Sequence, residues 1–125
     1  MPSGRLVLIV DDEAAFLELL KDSLELRGFE VITASSAVGA GIEMALKKPD
    51  AILMDIRMPG INGLQACEAI KKNPATKDIP IMVISALSGD ADIKKARKVG
   101  VSEYFVKPVN IESVVTKLKA TLGVG

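Results

Sequence analysis

Five short apolar runs, each followed by an amphipathic stretch, constrain this chain more than any other feature. The runs are Leu6–Val10, Glu30–Ala34, Ala51–Met54, residues 79–84 and Glu103–Val106. Most are continuous rather than alternating, as strands covered on both faces are. The stretches between them carry helical periodicity. Phe16, Leu20 and Leu24 recur every four residues with Leu17 beside them, and Gly28 is placed to end that helix. Ser35 or Ser36 caps a second helix, which Gly39 and Gly41 weaken. Asn62 followed by Gln65 reads as a capping box for a third, with Leu64, Cys67 and Ile70 inward. Ser88 or Asp90 opens the fourth, with Ile93, Ala96 and Val99 on one face. Asn110 caps the fifth, whose stripe is Ile111, Val114, Val115, Leu118 and Leu122. A βα unit repeated with short connections predicts an α/β domain: a parallel sheet with helices on both faces. The chain of 125 residues suits a single domain, with a core over about residues 5–122. The end at Gly123, Val124 and Gly125 reads equally as a fraying terminus or a cut linker.

Composition removes several functions. Basic and acidic residues balance at 16 each, which argues against a general nucleic-acid binder, and aromatics at 3% leave little to stack bases on. The chain has no histidine, so histidine triads, histidine zinc sites and a histidine base are excluded. Cys67 is the single cysteine, so no disulfide forms within the chain and a reducing compartment is expected. With no apolar run long enough to span a bilayer and no leader pattern, the expectation is a cytoplasmic domain without membrane contact.

In open α/β sheets ligands bind beyond the carboxyl ends of the strands, where strand order reverses. Asp11 and Asp12 follow the first strand, Asp55 follows the third, Ser85 ends the fourth and Lys107 follows the fifth. Three carboxylates, a hydroxyl and an ammonium thus fall on one sheet edge. Adjacent carboxylates at the mouth of a buried strand repel each other unless water or a cation separates them. Each residue also has an ordinary explanation. Acids favour helix starts, loop acids and lysines are usually solvated, and Pro108 marks the end of a strand.

The segments VDDE, ILMDIRMPGING, VISA and EYFVKP, in this order and at these separations, closely resemble the receiver domain of two-component response regulators. The resemblance spans roughly Arg5 to Leu122. It implies a doubly wound, flavodoxin-like sheet of order 2-1-3-4-5. It also implies that Asp55 accepts a phosphoryl group from a phosphohistidine of a sensor histidine kinase or phosphotransfer protein. Asp12, Asp55 and the backbone carbonyl of Arg57 would bind Mg²⁺, or Mn²⁺ in its place, with Asp11 acting directly or through water. Lys107 and Ser85 would each hold a phosphate oxygen, as would the backbone amide of Ala86. The Lys107–Pro108 bond would be cis. Tyr104, the only tyrosine, would be the aromatic that turns inward on activation. The output face would be helix four, strand five and helix five, made basic by Lys94, Lys95, Arg97 and Lys98. It would control a downstream protein or a fused effector domain, from a monomer or a phosphorylation-dependent dimer.

By the same resemblance the domain is not an enzyme, beyond slow self-phosphorylation from small donors and slow self-dephosphorylation. Arg57 and Leu87 stand at the two positions that tune phosphoryl lifetime, and Leu87 offers no hydrogen bond to orient a water. The residues also argue against other classes. An aspartyl-phosphate hydrolase usually carries a second aspartate two residues past the nucleophile, where this chain has Arg57. A flavin binder needs a Ser/Thr/Gly-rich loop after strand one, where this chain has three acids. An interaction module that is never phosphorylated would not require the complete acidic set.

Overall fold

The computed structural model describes residues 4–58 and 61–124. Pro59 and Gly60 of the second motif, and Gly125, lie outside the described residues. Strands β1 (Leu6–Val10), β2 (Glu30–Ala34), β3 (Ala51–Met54), β4 (Ile81–Ser85) and β5 (Glu103–Val106) form one parallel sheet in the order β2-β1-β3-β4-β5. A short antiparallel pair, Arg57–Met58 with Ile61–Asn62, lies outside this sheet and is left unnumbered. Helices α1 (Ala14–Leu26), α2 (Ala37–Leu46), α3 (Gly63–Lys72), α4 (Asp90–Val99) and α5 (Ile111–Leu122) connect the strands.

The apolar runs are continuous because the central strands are buried on both faces. Leu8, Val10, Ile52, Met54, Ile81 and Val83 point to the layer that includes Cys67 and Ile70 of α3 and Ala96 of α4. Their neighbours Val7, Ile9, Leu53, Met82 and Ile84 point to the opposite layer, where Leu17, Leu20 and Leu24 of α1 meet Val114, Val115 and Leu118 of α5. β2, at one edge of the sheet, is less covered: only Ala34 in it is fully buried.

The expected caps hold at three helices. Ser36 Oγ accepts from Gly39 N at 3.0 Å, Asn62 Oδ1 accepts from Leu64 N at 3.0 Å, and Asn110 Oδ1 accepts from Ser113 N at 3.3 Å. Gly28 takes a left-handed φ of +89° just after α1, as its place in the sequence predicted. Two expectations need correction. The N-cap of α4 is Gly89, so Ser88 stands one residue outside and Asp90 is already helical. The fourth strand begins at Ile81 rather than residue 79; Pro80 has no N–H to give the ladder, although its carbonyl accepts from Ile52 N at 3.0 Å. Among the described residues no helix is long and apolar enough to cross a membrane.

Candidate functional site

The register brings the strand ends level. Val10 pairs with both Ala34 and Met54, and Ser85 pairs with Val106. The ladder then runs one step further, into the residues that follow. Asp11 N donates to Ala34 O at 3.1 Å, Asp55 N to Val10 O at 2.9 Å, and Lys107 N to Ser85 O at 2.8 Å. The backbones of the acid and ammonium residues are therefore extensions of the sheet, and their side chains leave it at one rim.

Asp11, Asp12 and Asp55 each offer a carboxylate oxygen, and these oxygens all lie within 4.8 Å of one another. Asp11 and Asp55 are buried, at 1% and 6% exposure, whereas Asp12 is open to solvent. Lys107 Nζ reaches across the sheet to Asp11 Oδ2 at 2.7 Å and Asp55 Oδ2 at 3.2 Å. The remaining oxygens of the buried pair accept from the backbone: Asp11 Oδ1 from Glu13 N at 2.9 Å, Asp55 Oδ1 from Arg57 N at 2.8 Å. Asp11 does not cap α1, because the N-cap is Glu13 and no side chain caps that helix; the Asp11 bond to the Glu13 amide fixes only the turn that leads into it. Three hard oxygen donors at this spacing fit a small divalent cation, which prefers oxygen ligands and retains waters.

Burial pushes the Asp11 carboxyl above its ordinary range, and the hydrogen bond and charge of Lys107 only partly offset this. Burial pulls the Lys107 ammonium the other way, but the bond to Asp11, with Asp11 and Asp55 close by, outweighs it and holds the lysine above its ordinary value. The lysine is therefore firmly charged, while Asp11 depends on a positive neighbour.

Ser85 is fully buried, and its hydroxyl accepts from Leu87 N at 3.2 Å. Ala86, the next residue, is exposed at the start of the loop into α4. Tyr104 is 8% exposed and already lies inward, donating its hydroxyl to Leu87 O at 2.6 Å. Burial raises its phenol, with the Ser85 hydroxyl pulling the other way. Arg57 keeps an exposed side chain in the short antiparallel pair, while its backbone amide holds Asp55. The Lys107–Pro108 peptide is cis.

Three contributors escaped the sequence reading. Glu13, which in sequence is only part of an acidic run, places Oε1 3.3 Å from Lys107 Nζ. Phe16, which in sequence reads as a core position, lays its ring under the same ammonium, 4.4 Å from Nζ to the centroid. Their spacing of three on the first turn of α1 was the available signal, because such residues share a helix face. Gly63 packs against the turn after Asp55: a Cβ there would overlap Ile56 Cα and sit 2.7 Å from Ile56 O.

Comparisons with known proteins agree with this geometry. The family model described as "Response regulator receiver domain" matches residues 7–119. The chain is 37% identical over 120 residues to the phosphate regulon transcriptional regulatory protein PhoB of Pseudomonas aeruginosa, covering 95% of this chain and 52% of that protein. It is 35% identical over 117 residues to protein PilH of the same organism, covering 93% and 96%. It thus spans about half the length of the first relative and nearly all of the second. Among solved structures, a putative response regulator from Chloroflexus aurantiacus superposes with a TM-score of 0.90 at 30% identity, covering 97% of this chain and 99% of that one. The chemotaxis protein CheY4 of Vibrio cholerae superposes with a TM-score of 0.88 at 25% identity, covering 94% and 98%. With a five-stranded sheet of this order, an acidic rim crossed by one lysine and a family match over nearly its whole length, the chain belongs to the response regulator receiver domain family.

Proposed function

We propose that Asp55 accepts a phosphoryl group from the phosphohistidine of a sensor histidine kinase or phosphotransfer protein, with Mg²⁺ bound at the acidic rim. The observation that carries this reading is the meeting of Asp11, Asp12 and Asp55 within 4.8 Å beside the Lys107 ammonium. A carboxylate is a weak nucleophile, but phosphoryl transfer depends mainly on positioning and charge neutralisation. Asp55 is positioned by its own backbone bond to β1 and by Arg57 N. An Asp55 oxygen forms the new bond to phosphorus as the donor's N–P bond breaks, and the imidazole leaves with that electron pair. Lys107 exchanges its contact with Asp55 for a phosphoryl oxygen and keeps its contact with Asp11. The Ser85 hydroxyl and the Ala86 amide donate to the other oxygens. Asp11, Asp12, Asp55 and the Arg57 carbonyl would hold the cation. When bound, it neutralises charge on the acceptor and the phosphoryl oxygens.

Drawing Ser85 and Ala86 toward the phosphate moves the loop that Tyr104 holds through Leu87. Because Tyr104 is already inward, phosphorylation favours an arrangement the chain can reach without it. The output is read at α4, β5 and α5 by a downstream protein or a fused effector domain. Self-dephosphorylation is slow, because Leu87 gives an attacking water nothing to bond and the cationic Arg57 side chain can cover the phosphate. The test is intact mass after incubation with Mg²⁺ and a small phosphodonor. One added phosphoryl group is expected, lost with a chelator and lost in Asp55→Asn. Continuous release of inorganic phosphate from a generic phosphate ester would point instead to a hydrolase. Decay of the phosphorylated form within seconds would refute the slow lifetime.

A further inference from the structure

Helix α2, AVGAGIEMAL, carries a single charged residue in ten, yet within it only Ala40 is fully buried. A helix apolar all round belongs in an interior. Here Val38, Ile42 and Leu46 stand 72%, 57% and 76% exposed. They are spaced by four, so they form one ridge on the side away from the sheet. The neighbouring row, Ala37, Gly41 and Ala45, has the same spacing and only small side chains.

Gly41 is the telling residue. Its φ is not positive, and a Cβ built there would meet nothing within 4 Å. Neither the backbone nor the packing of this chain requires glycine at that position, although glycine weakens a helix interior relative to alanine. Gly39 differs, because a Cβ there would press to 3.2 Å from Ser36 Oγ. Gly41 instead opens a groove beside the ridge. Toward α3 the groove widens into a hollow of about 330 Å³, lined in part by Ala45, Ala69, Ile70 and Ala75.

We propose that α2 is a self-association surface whose occupant is α2 of a second copy of this chain. A ridge and a groove that both follow four-residue rows on one helix are complementary to themselves. A two-fold axis seats each ridge in the other copy's groove, the commonest mode of helix packing. Charge permits this. Neither row contains a charged residue, and an antiparallel crossing near Gly41 and Ile42 sets Glu43 of each copy opposite small residues rather than opposite its own symmetry mate. The exposed ridge is of the kind that marks interaction sites on otherwise polar surfaces. One face of a ten-residue helix is less than the about 800 Å² per partner of a stable dimer. The association is therefore reversible and concentration-dependent.

Sedimentation equilibrium from roughly 10 µM to 1 mM, a range matched to weak association, tests this. The wild type should shift from monomer toward dimer across that range. Ile42→Glu, at an exposed position, should retain the helical circular dichroism and raise the dimer dissociation constant at least tenfold. Gly41→Ala should melt higher than the wild type yet dimerise at least threefold more weakly. Asp55→Asn should dimerise as the wild type does, which separates this surface from the phosphoacceptor reading. A wild type that stays monomeric at 1 mM, a dimer indifferent to Ile42→Glu, or a Gly41→Ala dimer as tight as the wild type would overturn the proposal.

Discussion

Replacing Gly63 by alanine probes the link between α3 and the turn after Asp55. The added Cβ would overlap Ile56 Cα and lie 2.7 Å from Ile56 O and 2.8 Å from Ile56 C. These are backbone atoms, so no side chain can swing aside. Overpacking of this kind costs about 1–3 kcal/mol. Moving the helix start also lengthens the 3.3 Å bond from Gly63 N to Ile56 O, worth about 1 kcal/mol. Helix propensity returns up to about 1 kcal/mol. The net loss is about 2 kcal/mol. A domain of 125 residues has an unfolding entropy of about 0.26 kcal/mol per kelvin, so the midpoint should fall by about 8 °C. Thermal melting followed by circular dichroism reads this directly. Because Ile56 adjoins Asp55, phosphoryl uptake from a small donor should also slow by about tenfold or more. Gly41→Ala is the internal control. The same substitution, where nothing stands in the way, should raise the midpoint by about 2–4 °C. A Gly63→Ala protein that melts at or above the wild type would refute the claim that this glycine is required by contact.

Three further outcomes follow from the site and the core. Tyr104→Phe removes the 2.6 Å bond to Leu87 O and should cost about 1 kcal/mol, a fall of about 4 °C in the melting midpoint. Lys107→Ala leaves Asp11 and Asp55 buried without their cation and should cost about 3 kcal/mol at neutral pH. Millimolar Mg²⁺ should then raise the melting midpoint of the variant more than that of the wild type, and an equal rise in both would count against the metal seat. Burial pushes the Cys67 thiol up to about 11, well above its ordinary value. The folded state keeps that proton while the unfolded state loses it, so stability falls as pH rises from about 9 to 11, by about 2–3 kcal/mol. In urea titrations Cys67→Ala should start less stable but lose less over the same pH interval.

Much of this architecture is written locally. Leu6–Val10 and Ala51–Met54 are recognisable because a strand covered on both faces needs no polar alternation, and the register then carries Asp11 and Asp55 to one rim. The caps at Ser36, Asn62 and Asn110 were legible because one short side chain satisfies nearby amides. The start of α4 was not, because Gly89 opens it without a side-chain bond while two better capping residues flank it. The environment of Lys107 was hidden for another reason. Glu13 lies 94 residues away in sequence, and only the crossing of the sheet brings it and Phe16 to the ammonium. Gly63 was hidden because a glycine required by a neighbouring backbone looks the same in sequence as one required by nothing.

The extra rung that the ladder makes at Asp11, Asp55 and Lys107 has a dynamic consequence. Their amides cannot exchange with deuterium unless strands β1, β3 and β5 separate from their neighbours, so they should be protected nearly to the global unfolding limit. The loop at 86–89 hangs from Ser85 and Tyr104 through Leu87, and its opening should be far cheaper. The chain thus joins a carboxylate rim that stays still to a neighbouring segment that opens at little cost.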